Sequence, residues 1–475
     1  ITHMSRRKWN WLFAGVGTVA AAMLFSGCKG VPTKTEKQSR ADLKAVTQVY
    51  RPNERKATLP TLDTNATLGT FLAYAMLNQP RVEAAYYDYA AAVERITVER
   101  SLPDPRLTLE LDIQEVVTTV MPGLMTDLPW LKKLRIRADA ASAESQAKYF
   151  GFESAVLQTA FEVKRPYYQL YFLNERLRVN RETLALLGQL EQLARTQVEA
   201  GKATLQDVLR AEIEQDRLKT EIVNLDDSRN PMLAQFKAAL GMKGDQPNPP
   251  MPAQFESTPM DLTSEQLFAD ALARNPRLKA MEAEVRMAET GIRLARTSKL
   301  PDFNLGVEAD AKASPVMVRP SLGVTLPIWR DKIAAEIGSA QALKSAAQAR
   351  LSAEQIQLAV EFADKSFMYR EATRNLELVT RSLLPKARQA LEVARSGYGS
   401  GRVDFINLLD AERSLLEFQL AEVEARTRRE LVLAEVSLLI VGVPPSGAPI
   451  LTTPIQSPAA VQPAQQRGAG DDHHA

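Results

Sequence analysis

Side chains able to carry catalysis are sparse in this sequence and badly placed for it. Its 475 residues include one cysteine, Cys28, and three histidines, His3, His473 and His474, which lie at the two ends. The interior has neither thiol nor imidazole, which removes Cys/His nucleophile pairs, zinc sites and disulfides together. Carboxylates are abundant, yet no pair stands apart from the charge pattern of a helix-rich surface, and no phosphate loop or metal motif occurs. Met121, Met125 and Met317 offer thioethers, but flexible apolar filling explains them better than copper binding. We therefore expect no enzyme, no cofactor and no resident metal. With 59 Lys and Arg against 57 Asp and Glu the formal charge is +2, so no global field favours nucleic acid as a partner.

What remains for Cys28 is modification. From Met4, the cluster Arg6, Arg7, Lys8 precedes an apolar stretch from Trp11 to Phe25, then Ser26, Gly27 and Cys28. This order is that of a secretory signal peptide, residues 1–27, and the run is short for a bilayer that needs about 20 apolar residues. Small residues before a lone cysteine resemble the lipobox of bacterial lipoproteins, in which the cysteine becomes the acylated N-terminus. Phe25 stands where that pattern usually has Leu, and Lys29 follows the cysteine, which by the same resemblance favours sorting to the outer membrane. A lipidated segment, residues 28–66, is expected after cleavage.

The elements that would carry any site are written twice. Asn78, Gln79, Pro80, Arg81 is echoed by Asn275, Pro276, Arg277; Leu102, Pro103, Asp104 by Leu300, Pro301, Asp302; and Leu128, Pro129, Trp130 by Leu326, Pro327, Ile328, Trp329. Gly201 with Ala211 and Glu212 matches Gly401 with Ala411 and Glu412, and Leu240, Gly241 matches Val441, Gly442. Two repeats, 67–242 and 263–442, are joined by a Pro-rich linker, 243–262, and followed by a tail rich in Pro, Ala, Gln and Gly, 443–475, expected to be disordered.

Each repeat reads helix, strand, strand, long helix, turn, helix. Residues 68–99 and 264–298 are helix-rich and stop near a Leu-Pro-Asp. Leu107, Leu109, Leu111 and Ile113 then alternate with Thr108, Glu110, Asp112 and Gln114. In the second half Phe303, Leu305, Val307 and Ala309 do the same, and Val318, Pro320, Leu322, Val324 and Leu326 return. The returning segment of the first half, around 120–128, alternates less cleanly because of Pro122 and Gly123. Strands of this length cross a bilayer at a steep tilt, and four of them cannot close a barrel, so they must be shared between chains. Three copies give 12 strands with apolar residues toward lipid and polar ones toward a wet lumen. Residues 134–200 and 331–397 run on as helices of about 100 Å at about 1.5 Å per residue, returning through 203–240 and 403–440. Pro166 is expected to kink the first.

Duplicated halves, two strands per half, long helices and glycine-turned hairpins resemble the TolC family of outer-membrane efflux proteins. The most specific stretch runs from Tyr398 to Ala411, with Gly399, Gly401, Asp404, Asp410 and Ala411, and Leu384, Pro385 upstream also fits. With the lipobox, it is similar to the lipoprotein branch serving resistance-nodulation-division (RND) pumps. That resemblance implies a mainly α protein with a membrane β-barrel: a homotrimer forming a 12-stranded β-barrel in outer-membrane lipid and a 12-helix α-barrel in the periplasm. It further implies a lower end that opens on docking a periplasmic membrane-fusion adaptor held by an inner-membrane RND-type pump.

By the same resemblance, the hairpin turns are the adaptor-contact tips: Gly201, Lys202 and Ala203 in one repeat, Gly399, Gly401, Arg402 and Val403 in the other. The periplasmic aperture would be lined by Asp410, Asn407, Asp404, Asp207 and Tyr398. The family narrows its mouth with acidic residues here; Asp410 matches one, Asn407 replaces another, and Asp207 and Arg210 hold the aligned places in the first half. Asp410 has two readings, one of three carboxylates converging on an axis to attract cations, or an ordinary solvated helix charge. The alternative for the whole chain is a secreted coiled-coil adaptor or scaffold lipoprotein, which has no use for two membrane-length alternating hairpins.

Overall fold

The computed structural model describes residues 31–50, 59–113, 117–252, 264–310 and 315–443. Cys28, the signal peptide and the tail beyond residue 443 lie outside the described residues, as does the linker beyond residue 252. The chain divides into two compact units.

The first unit draws on residues 1–41, 87–150 and 279–353. Its sheet is antiparallel in the order β1 (Arg106–Ile113), β2 (Val117–Leu128), β3 (Asp302–Asp310), β4 (Met317–Thr325). Register aligns the apolar positions across all four strands: Leu107 faces Leu124, which faces Val307, which faces Pro320. Because side chains alternate across a strand, one face carries this apolar set and the other carries Arg106, Thr108, Glu110, Asn304 and Glu308. The apolar face is uncovered within the chain, Leu107 being 82% and Leu322 68% exposed. β2 is a strand despite Pro122. That proline pairs with Leu109 of β1 only, and the β2–β3 pairing begins at Gly123, so the missing N–H is not needed on the β3 side.

Below the strands, Asp302 of the second Leu-Pro-Asp accepts from Lys133 Nζ at 2.7 Å and from the Trp130 backbone N–H at 3.1 Å. The motif that opens the second hairpin thereby holds the first turn of the helix that follows the first hairpin. The helix α1 (Lys34–Tyr50) begins here, and its Glu36, 1% exposed, receives Thr97 at 2.7 Å and pairs with Arg100 at 2.6 Å. Burial alone would raise the Glu36 pKa; the bonds from Thr97, Arg40 and Arg100 overcome it and leave it lowered.

The second unit draws on residues 42–86, 151–278 and 354–475. Its breaks between helices obey proline. The helix-rich stretches expected as single pieces divide into α2 (Leu68–Asn78) and α3 (Pro80–Arg100), then α7 (Ser264–Arg274) and α8 (Pro276–Arg296), each second member opening on a proline whose missing N–H costs nothing there. The first return helix divides into α5 (Leu205–Asp227) and α6 (Arg229–Ala239) just ahead of Pro231. The first long helix, α4 (Leu131–Glu199), continues through Pro166. The second is not continuous: α9 (Arg330–Leu378) passes through a π-helical turn, Val379–Leu383, into α10 (Leu384–Gly399). Pro385 cannot donate to a carbonyl four residues back, and the widened turn, with Leu384 N–H bonded to Val379 O, accommodates it. The second return helix, α11 (Phe405–Ala434), also ends in a π-helical stretch, Glu435–Ile440.

The repeated Asn-Pro-Arg motif now has a mechanism. Asn78 Nδ2 donates to the carbonyls of Leu240 and Gly241 at 3.0 and 2.9 Å; Asn275 Nδ2 donates to those of Leu439 and Ile440 at 3.1 and 2.8 Å. Each asparagine satisfies the carbonyls that end a return helix, which would otherwise be orphaned. Arg81 pairs with Glu162 at 2.6 Å, and Arg277 with Glu361 at 2.9 Å. Gly241 has φ +71°, and a Cβ there would stand 2.7 Å from Asn78 O, so glycine is needed for both conformation and approach. In the same unit Phe71, Tyr167 and Phe236 are fully buried and pack on one another, the Phe71 and Phe236 ring centroids 5.0 Å apart.

Candidate functional site at the hairpin tips

The tips lie in the second unit and are built by matching turns. Gly201 and Gly401 take φ of 68° and 72°. Gly201 N–H bonds Val198 O and Lys202 N–H bonds Gln197 O, at 2.9 and 2.8 Å; Gly401 and Arg402 repeat this with Tyr398 and Gly397 at 3.0 and 2.9 Å. This is the Schellman arrangement, which uses a left-handed residue to satisfy the last carbonyls of a helix. Past the turns, Ala203 and Val403 tuck back at equivalent places; Ala203 packs on the tip core, and Val403 occupies the space beside Gly397 that a side chain there would need. Lys202, Arg402, Gly399 and both turn glycines stay exposed.

One apolar cluster joins both hairpins: Leu187, Leu190 and Val208 from the first with Leu391, Tyr398, Phe405 and Leu408 from the second. Tyr398 and Phe405 rings lie 5.2 Å apart. At its margin Gln197 Nε2 donates to Gly399 O at 3.3 Å, so the two turns touch.

The expected aperture residues separate into two groups. Tyr398 is buried, and Asp207 stands beside its hydroxyl, which makes no hydrogen bond of regular geometry; burial, then the Asp207 charge, pushes the phenol up to about 12. Asp410 is exposed and lies 3.5 Å from Arg413 Nη1, while Arg413 Nη2 donates to Glu214 Oε1 at 2.5 Å across to α5. Asp404 occupies the N-cap position of α11 without a side-chain cap bond, and Asn407 is exposed one turn on.

Sequence reasoning missed the group with the most unusual surroundings. Glu412 is 3% exposed, and its Oε1 has no hydrogen-bond partner. Burial, then the nearby Glu214 carboxylate, pushes its pKa up to about 7 against the opposing charge of Arg413. Its repeat counterpart Glu212 is solvated and pairs with Arg195 at 2.7 Å. The signal was available: Glu412 falls one helical turn after Leu408, on the stripe that faces the core.

The two halves that build these tips each match one family description: the outer membrane efflux protein model covers residues 72–242 and 267–440. This chain belongs to the outer membrane efflux protein family. It is similar to the cobalt-zinc-cadmium resistance protein CzcC of Cupriavidus metallidurans, 23% identical over 370 residues, which span 74% of this chain and 84% of CzcC. Among solved structures, it resembles the outer membrane protein VceC of Vibrio cholerae (TM-score 0.64, 19% identity, 79% of this chain and 96% of that one). It also resembles the Campylobacter jejuni CmeC outer membrane channel (TM-score 0.67, 14% identity, 83% and 91%). The fold is that of a TolC-family channel, mostly helical with one four-stranded antiparallel sheet among the described residues. As a family member the chain is an outer-membrane efflux channel component, and the secreted-scaffold alternative is set aside.

Proposed function

We propose that three copies of the chain form a passive duct, each β4 pairing with β1 of the next copy. The observation that carries this is the four-stranded sheet, which among the described residues ends on two unpaired edges and has its apolar face uncovered. In lipid an open edge leaves peptide groups unsatisfied, and closure by three sheets removes every edge. The polar face then lines a wet lumen of 12 strands, and the long helices continue it as a 12-helix barrel.

The tips supply the opening. Gly201, Lys202, Ala203, Gly399, Gly401, Arg402 and Val403 form the end that a periplasmic adaptor docks on, and Asp410 with Asp207, Asp404, Asn407 and Tyr398 sits at the mouth. The adaptor in turn is held by an inner-membrane pump of RND type. Cys28 carries the acyl anchor. We read the chain as a signal peptide 1–27, an anchored segment 28–66, repeats 67–242 and 263–442 around the linker 243–262, and a tail from 443; the family match over 72–242 and 267–440 supports the two repeats. The chain has no reaction to catalyse, and its cargo is set by the pump that feeds it.

Native mass spectrometry of detergent-extracted protein with the acyl anchor removed tests the reading. A trimer that still needs detergent supports it. A water-soluble monomer or dimer overturns it.

A further inference from the structure

A cavity of about 610 Å³ lies in the first unit where α1 meets the ends of α3 and the start of α4. Its lining is apolar at Val31, Leu131 and Leu134 and basic at Lys34, Arg100 and Arg135. The one acid in the lining, Asp139, accepts a bond from Thr35 Oγ1 at 3.1 Å. Arg100 is committed to buried Glu36, whereas Lys34 and Arg135 are exposed and form no ion pair among the described residues. Thr33 caps α1 through the Glu36 N–H at 3.1 Å, so the positive end of a 17-residue helix borders the same space. An apolar lining, two free cations and a helix N-terminus together match an amphiphile with an anionic head.

The height of the cavity agrees. Leu131, 78% exposed, belongs both to its lining and to the belt of exposed apolar and aromatic residues at the strand ends, with Trp130, Ile328 and Trp329, the last 71% exposed. Such belts sit at the level of lipid headgroups. Cys28 stands three positions before Val31, within about 11 Å of extended chain.

We propose that this cavity binds the phosphodiester headgroup of an anionic phospholipid from the periplasm-facing leaflet, with Lys34 and Arg135 on the phosphate and the glycerol end over Leu131 and Leu134. The inference rests on the outer-membrane reading given above. Its test is native mass spectrometry of the full chain released from nanodiscs containing phosphatidylglycerol, scoring retained lipid per chain. Wild type is expected to retain phosphatidylglycerol, and Lys34→Glu with Arg135→Glu to retain about tenfold less or lower. Lys34→Gln with Arg135→Gln should fall between them and guards against misfolding by charge reversal. Cys28→Ala should retain as much as wild type. Equal retention in the charge-reversed protein overturns the proposal. So does retention seen only in Cys28→Ala, which would mean the chain's own anchor fills the cavity in wild type, or displacement by millimolar inorganic phosphate, which would mean a free-anion site. Failure of wild type to enter discs at all sinks the membrane reading and this site with it, whereas insertion without retained lipid sinks the site alone.

Discussion

Arg413 reaches from α11 to Glu214 on α5 at 2.5 Å and joins the two return helices of one chain just above their turns. The arginine of the pair is about half solvated, so the pair contributes about 1 kcal/mol or less, yet in the proposed opening it lies where the two hairpins would part. Arg413→Ala is expected to raise the open-channel fraction in planar bilayers, up to about fivefold. Unchanged conductance events would show that the pair does not restrain the mouth.

Glu412 gives a pH dependence with a defined sign. Its pKa lies above the ordinary 4.5, at about 7, so the folded tip holds this proton more tightly than the unfolded chain does. The stability it contributes is fully present below about 4.5 and is lost as pH rises through about 7, an effect of about 3 kcal/mol. Hydrogen exchange around residues 405–415 should therefore quicken between pH 5 and 8 beyond the intrinsic rate, and Glu412→Gln should abolish the excess. A variant with the wild-type profile would assign the titration elsewhere.

Removing an asparagine clamp leaves two helix-terminal carbonyls without their donor. Asn275→Ala is expected to cost about 2 kcal/mol, and Asn78→Ala somewhat less because Asn275 is the one fully buried. Thermal midpoints of the two variants measure the order, and the reverse order would contradict the burial argument.

Two glycines with the same backbone angle should respond differently. Gly201→Ala meets only the left-handed backbone penalty, about 1 kcal/mol, because its Cβ has open space. Gly241→Ala adds a collision with Asn78 O and Gln79 Cα and should cost roughly twice as much or more. Equal losses in denaturant midpoint would mean the chain relaxes around Gln79 freely.

How far these features could be read in advance depends on how local their causes are. Strands at 107–111 and 303–309 were readable because alternation every second residue is written directly in Leu, Thr, Leu, Glu. The turns at Gly201 and Gly401 were equally local. β2 was harder, since Pro122 weakens the pattern and only its pairing with β1 alone explains why it is tolerated. Asn78 and Asn275 were visible as a repeated motif, but their partners lie some 160 residues away, and no periodicity announces a carbonyl. The π-helical turn before Pro385 was missed because a proline in an apolar-periodic stretch signals a disturbance without saying which kind. Glu412 was seen only as a mark of the repeat. Its burial depends on Leu408 and Tyr398 packing against the first hairpin, a tertiary fact.

The matching turns carry unlike chemistry. One ends in Lys202 and Ala203 above a solvated, paired Glu212; the other ends in Arg402 and Val403 above a buried, unpaired Glu412. Around an axis of three chains the six ends would therefore alternate in kind. Any ring-shaped partner closing on them would meet a threefold pattern, and would have to offer either two sorts of contact or one sort loose enough to serve both.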